Sequence, residues 1–178
     1  KFLLLGGDQV YPFPTRVDYE EKFAKPYAMA LPRPLTEPAD RTMFALPGNH
    51  DWYDGLKAFD NVFCKARYAS YGPQQEEFRI GGWVCPQHRS YWSIRLPHNW
   101  WIWGADIQLS HYLDEGQILY FKEVARDMRE ASPVDPPKVI LCISEPSWMK
   151  ERRADEQGER NLDTIVNIAL DSRARMAA

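Results

Sequence analysis

The stretch Leu46-Pro47-Gly48-Asn49-His50-Asp51-Trp52-Tyr53-Asp54-Gly55 sets an amide, an imidazole and a carboxylate side by side. It follows an apolar run, Met43-Phe44-Ala45-Leu46, that reads as a buried strand ending in a turn. Upstream, Lys1-Phe2-Leu3-Leu4-Leu5 reads as a second buried strand, and it runs into Gly6-Gly7-Asp8. Two strands thus deliver acceptor side chains to loops at their C-terminal edge, the edge where ligands sit in open α/β sheets. A carboxylate, an amide oxygen and an imidazole suit a hard or borderline divalent metal such as Mn, Fe or Zn. The plainer use of Asp8 and Asn49 is turn formation, since both residue types cap local backbone.

These residues resemble the second and third motifs of the calcineurin-like metallophosphoesterases: Gly7-Asp8, then Gly48-Asn49-His50-Asp51, in that order and each after an apolar strand. The neighbours Asp8-Gln9-Val10-Tyr11-Pro12 and Asp51-Trp52-Tyr53-Asp54-Gly55 strengthen the match. The resemblance implies an α/β fold with a β-sandwich core flanked by helices (α/β/β/α). It also implies hydrolysis of a phosphomonoester or phosphodiester by water activated by two divalent metal ions. Carried over residue by residue, Asp8 matches the bridging metal ligand and Asn49 the amide-oxygen ligand of the second metal. His50 matches the non-ligand imidazole that donates to the leaving oxygen or stabilises charge. Asp51 matches the carboxylate that orients that imidazole. A strand ending at Asp106 and a helix opening near Gln117 continue the likeness.

The chain departs from the family's pattern in three places. The family's opening Asp-x-His and closing Gly-His-x-His do not occur in it, and Ser144-Glu145-Pro146 stands where the family has His-x-Pro. A neutral serine is a poor replacement for an imidazole ligand. The chain begins at Lys1, already inside an apolar strand, and reads as a piece of a longer protein, incomplete at both ends. Holding part of the ligand set, it is expected to bind metal weakly and turn over little. The rival expectation is a metal-poor relative that keeps the fold as a binding or scaffold module. Ser144 speaks for it, and Asp8, Asn49 and His50 speak against it.

The 178 residues suffice for one domain with a sizeable core, and 44% of them are hydrophobic. The net charge of −3 comes without any basic run, which argues against nucleic-acid binding. No apolar stretch approaches the ~18 residues that span a bilayer. Three widely spaced cysteines, Cys64, Cys85 and Cys142, read as reduced thiols and favour the cytosol. The expected partner is a phosphate-ester substrate, and the oligomeric state is left open.

Several elements must position the motifs. Tyr11-Pro12-Phe13-Pro14 reads as a rigid connector. Thr15 reads as the cap of a helix through about Lys25. The prolines at 26, 32, 34 and 38 predict an irregular insertion over residues 26–40, a candidate for shaping the site. Further helices are predicted from Gly55 to Cys64, from Asp114 to Ala131 and from Leu162 to Leu170, with apolar residues at helical spacing. Phe78-Arg79-Ile80 reads as a short strand. Ser90–Leu96 and Trp100–Ala105 read as a hairpin around Pro97-His98-Asn99, and Lys138–Ile143 as a buried strand. The tryptophans at 100, 101 and 103 are expected in the core rather than on a binding platform. His88, His98 and His111 are read as surface histidines, and Arg16 and Arg41 as cations near the phosphate.

Overall fold

The first strand, β1 (Phe2–Leu5), pairs in parallel with β2 (Arg41–Ala45), from Phe2 opposite Thr42 to Leu5 opposite Ala45. A parallel pair needs a crossover, and here it is helical. The structure, a computed structural model, describes residues 1–32, 41–64, 79–107, 113–131, 134–144, 156–171 and 175–176. Two compact units divide the chain, Lys1–Ser90 and Tyr91–Ala178, each built on a four-stranded sheet. This is the mixed α/β class expected.

In the first unit the strand order is β1-β2-β4-β3, with β3 (Arg79–Ile80) antiparallel to β4 (Trp83–Val84) and β4 parallel to β2. The crossover begins at α1 (Arg16–Asp18), where the Thr15 side chain accepts a hydrogen bond from the Asp18 amide at 3.1 Å. That is the predicted cap. The chain then widens into a π-helical segment, Tyr19–Ala24, and continues as α2 (Lys25–Ala30). Residues 26–30 are therefore helical, against the expectation of an irregular segment. A proline inside an α-helix crowds the carbonyl four residues back and removes a donor. Here Pro26 follows a π segment in which the Lys25 amide reaches back to Glu20, so the proline sits at the first turn of a new helix, where it is tolerated. The rest of the predicted insertion, residues 33–40, lies outside the described residues.

Tyr19 and Phe23 project from this helical run into a core with Phe59 and Phe63 of α3 (Lys57–Phe63) and with Met43 and Ala45 of β2. The Phe23 and Phe63 rings meet edge to face at 5.1 Å. Truncating a buried aromatic such as Phe63 to alanine costs ~3–5 kcal/mol. α3 starts later than the predicted Gly55 because Leu56 is left-handed, and Asp54 Oδ2 accepts the Ala58 amide at 3.0 Å in place of a cap. The expectation that β1 is buried needs correction. Phe2 and Leu4 are exposed while Leu3 and Leu5 pack inward, because successive side chains point to opposite faces of the strand and only one face of β1 packs on this core.

The second unit carries the sheet β5-β6-β7-β8: β5 (Trp92–Arg95), β6 (Trp100–Ala105), β7 (Lys138–Ile143) and β8 (Arg175–Met176). β5 and β6 form the predicted antiparallel hairpin, and β6, β7 and β8 run parallel. His98 and Asn99 both have positive φ, the signature of a two-residue type I′ turn. Trp101 and Trp103 are buried, and Trp103 stacks on Phe121 at 4.9 Å. The core reading therefore holds for Trp101 and Trp103, while Trp100 is half-buried beside the Lys138 ammonium. Gly104 has a packing reason, since a Cβ there would lie 2.5 Å from the Trp92 ring on the paired strand. The helices α4 (Glu115–Ala131) and α5 (Glu156–Asp171) supply Phe121, Val124, Met128, Ile165 and Ala169 to this core. Gln117 ties α4 to the end of β6: its amide oxygen accepts the Asp106 N–H at 3.0 Å and its NH2 donates to the Asp106 carbonyl at 3.1 Å.

Candidate functional site

The C-terminal ends of β1 and β2 lie side by side, so the loops that leave them meet. The Leu46 amide continues the ladder by donating to the Leu5 carbonyl at 2.9 Å. Beyond that bond, Gly6-Gly7-Asp8 leaves one strand and Pro47-Gly48-Asn49-His50 the other. Asp8 takes a left-handed conformation with φ 51°, which Asp tolerates better than most residues. Its Oδ1 accepts the His50 amide at 3.0 Å. Asp8 approaches Gly48 so closely that a Cβ on Gly48 would lie 2.1 Å from Asp8 Oδ1. Only glycine leaves room for the two loops to meet.

Asp51 fastens both loops from beneath. It is fully buried, and its Oδ2 accepts the Gly48 amide at 2.7 Å and the Asp8 amide at 2.9 Å. Its Oδ1 accepts the hydroxyl of Tyr19, which is also fully buried. Burial raises the Asp51 pKa above the ordinary carboxylate value, against the pull of the three donors, and the Asp8 charge adds to the rise. Burial, and then the Asp51 charge, push the Tyr19 phenol upward, so Tyr19 remains a donor. Three hydrogen bonds hold a buried acceptor that would be costly to leave unsatisfied.

His50 is positioned by a different group from the one expected. Its Nδ1 lies 2.7 Å from the Pro12 carbonyl oxygen. A carbonyl only accepts, so Nδ1 carries the proton and Nε2 is the free ring position. The imidazole packs against the rings of Tyr11 and Tyr53, with centroids at 4.4 and 4.7 Å. The resemblance had Asp51 orienting this imidazole. Both Asp51 oxygens are instead engaged by Tyr19 and the two loop amides, because Asp51 turns inward beneath the loops while His50 faces the Pro12 segment.

Asp8, Asn49, His50 and Asp51 therefore come together in the first unit. Asp8 is exposed, and Asn49 is half-buried with no hydrogen bond on its side chain among the described residues. An outward carboxylate and an unused amide oxygen at adjoining strand ends fit a hard divalent cation. No group of three or more His, Cys, Asp or Glu side chains able to hold a metal occurs among the described residues. Arg41 is not with them: it opens β2, at the opposite end of that strand, beside the Trp83 ring. Arg16 is exposed on α1. Ser144 follows β7 in the second unit, and its hydroxyl donates to the Ile107 carbonyl at 3.3 Å. His88 is an exposed loop residue and His98 an exposed turn residue. Glu145, Pro146 and His111 lie outside the described residues.

Sequence reasoning missed Tyr19 and the Pro12 carbonyl. Tyr19 and Phe23 are spaced to share one helix face, which signals burial. Nothing in that spacing discloses a hydroxyl partner thirty-two residues away. The family model described as Metallophos, calcineurin-like phosphoesterase, matches residues 1–167. No curated protein and no solved structure matches the chain.

Proposed function

Because the chain belongs to the calcineurin-like phosphoesterase family, we propose that its strand-end site hydrolyses a phosphomonoester or phosphodiester with two divalent metals, Mn, Fe or Zn. The single observation that carries the reading is the convergence of Asp8, Asn49 and His50 on one loop pair, fastened by Asp51. Asp8 and Asn49 are the residues that would hold metal. The metals, when bound, supply an acidified water and neutralise charge on the phosphoryl group. His50 keeps Nδ1–H on the Pro12 carbonyl, which leaves Nε2 as the ring nitrogen available to a substrate. When protonated there, it donates to the leaving oxygen or to a phosphoryl oxygen. Asp51 works through backbone, fixing the Asp8 and Gly48 amides. The family match runs through both units, which supports reading them as parts of one phosphoesterase domain.

The test is Mn-dependent release of nitrophenol from mono- and bis-nitrophenyl phosphate, with Asp8→Asn and His50→Ala alongside. Low but metal-dependent turnover, abolished in both variants, is the expected result. Turnover indifferent to Asp8→Asn would sink the reading. A second reading, a metal-poor binding module, is favoured by one observation: the Ser144 hydroxyl, at the position of the family's imidazole, is spent on a backbone carbonyl. Equilibrium dialysis separates the two, since the module reading expects no bound Mn at millimolar concentration.

A further inference from the structure

Four aromatic side chains stand exposed on the two loops that carry Asp8 and His50. Tyr11 is 65% exposed, Phe13 61%, Tyr53 53% and Trp52 40%. Scattered exposed aromatics need no explanation, but a contiguous set beside a polar site marks a binding surface. Three of these rings, those of Tyr11, Tyr53 and Phe13, are contiguous through His50. Tyr11 meets His50 at 4.4 Å, His50 meets Tyr53 at 4.7 Å, and Tyr53 meets Phe13 at 5.8 Å.

The rings are also held in place. Pro12 and Pro14 flank Phe13 and limit its backbone, and the Lys22 ammonium donates to the Tyr11 carbonyl at 3.2 Å. The Trp52 and Tyr53 amides fold back onto the Asn49 and His50 carbonyls at 3.3 and 3.2 Å. Holding His50 would not require Tyr11 and Tyr53 to leave more than half their surface open.

We propose that Tyr11 and Tyr53 form an aromatic platform for a planar ring on the alcohol portion of the phosphoester, so that the preferred substrates are aryl or nucleoside phosphoesters. The inference rests on the phosphoesterase reading, which places the phosphoryl group beside His50. A leaving group next to the imidazole then has these rings as its nearest neighbours. Flat rings of either source share the chemistry recognised here, which is stacking on a π face.

The experiment compares phenylphosphonate with methylphosphonate, neither of which is hydrolysed, binding to the chain in Mn by calorimetry. The expected preference for the phenyl ligand is about tenfold, the size of one base-aromatic stacking contact. In Tyr11→Ala and in Tyr53→Ala the ratio of the two affinities falls toward one, and Tyr53→Trp restores it. Both side chains are exposed, so their loss opens no cavity in the core. A phosphonate analogue of adenosine monophosphate binding more tightly than phenylphosphonate assigns the ring to a nucleoside; the reverse assigns it to a phenol.

Equal affinities in the parent overturn the platform and leave the phosphoesterase reading standing. If neither phosphonate binds, the phosphoesterase reading fails, and the platform, which rests on it, is overturned with it. Binding to phosphatidylcholine vesicles that both alanine variants abolish, together with equal phosphonate affinities, reassigns the rings to a lipid surface.

Discussion

Replacing Tyr19 with phenylalanine removes one oxygen from the protein and keeps the ring. Packing against Phe23 and Phe63 survives, so the loss isolates the hydroxyl that Asp51 Oδ1 accepts. A hydrogen bond to a charged group contributes ~1.5–3 kcal/mol net, and an acceptor left unsatisfied in the interior loses its share in full. Asp51 is fully buried, so water does not replace the lost donor. The expected destabilisation is about 2 kcal/mol, or roughly 4–8 °C in Tm for a chain of this size. Urea unfolding followed by tryptophan fluorescence reads it directly. Asp51→Asn and the double variant complete a cycle, and a coupling above ~1 kcal/mol is expected for residues in contact. A Tyr19→Phe variant within ~0.5 kcal/mol of the parent, the scale of an ordinary surface change, would refute the claim that Tyr19 holds Asp51.

The same variant carries a functional consequence. Asp51 binds the Asp8 and Gly48 amides through its other oxygen, so a carboxylate freed on one side lets the Asp8 loop move. Groups that orient a metal ligand typically matter ~10–100-fold in affinity. Mn binding weakened by about tenfold, with the chain still folded at assay temperature, is the expected result.

Two further predictions concern sites where geometry leaves little freedom. Gly48→Ala puts a methyl into the space of Asp8 Oδ1; the loops must separate, and both Mn binding and phosphoester turnover are expected to fall by more than in Tyr19→Phe. Wild-type affinity in Gly48→Ala would show that the Asp8 loop does not need its observed position. Burial pushes the Cys85 thiol up to about 12, so at pH 8 it stays protonated and unlabelled by a thiol reagent until urea is added. Because this folded pKa is raised from 9.0, the stability linked to Cys85 is complete below about pH 9 and declines as pH rises toward 12. Cys85→Ala removes that alkaline slope, and an unchanged slope in the variant would assign it to other groups.

Local signals in the sequence were legible where one residue's environment is decided by its neighbours in the chain. The apolar runs at 42–46 and 138–143 gave strands, Thr15 gave a cap, and Pro97-His98-Asn99 gave a hairpin turn. The π segment was not legible, because a proline at 26 ordinarily argues for a break. Only the wider turn before it shows how the helix continues. The two-residue strand β4 offers no periodicity to read at all. It is recognised through its neighbours β2 and β3.

At the site the division falls in the same place. That Asp8, Asn49 and His50 stand at adjoining strand ends was legible because the chemistry of their side chains is exceptional at the end of an apolar strand. The work of Asp51 was not, because it depends on which donors converge on a buried carboxylate, and these come from residues 8, 19 and 48. Their convergence changes the logic of the site. A carboxylate paired with His50 would tune one proton; a carboxylate shared by two loop amides and a phenol instead sets the distance between the two loops. Orientation of His50 then passes to a backbone carbonyl, Pro12, which no titration in the working range can switch off. In this arrangement Asp51 substitutions act first on the spacing of the two loops. Asp51→Asn should therefore weaken Mn binding as strongly as it lowers turnover. Loss of turnover with Mn affinity intact would return Asp51 to the role of orienting the imidazole.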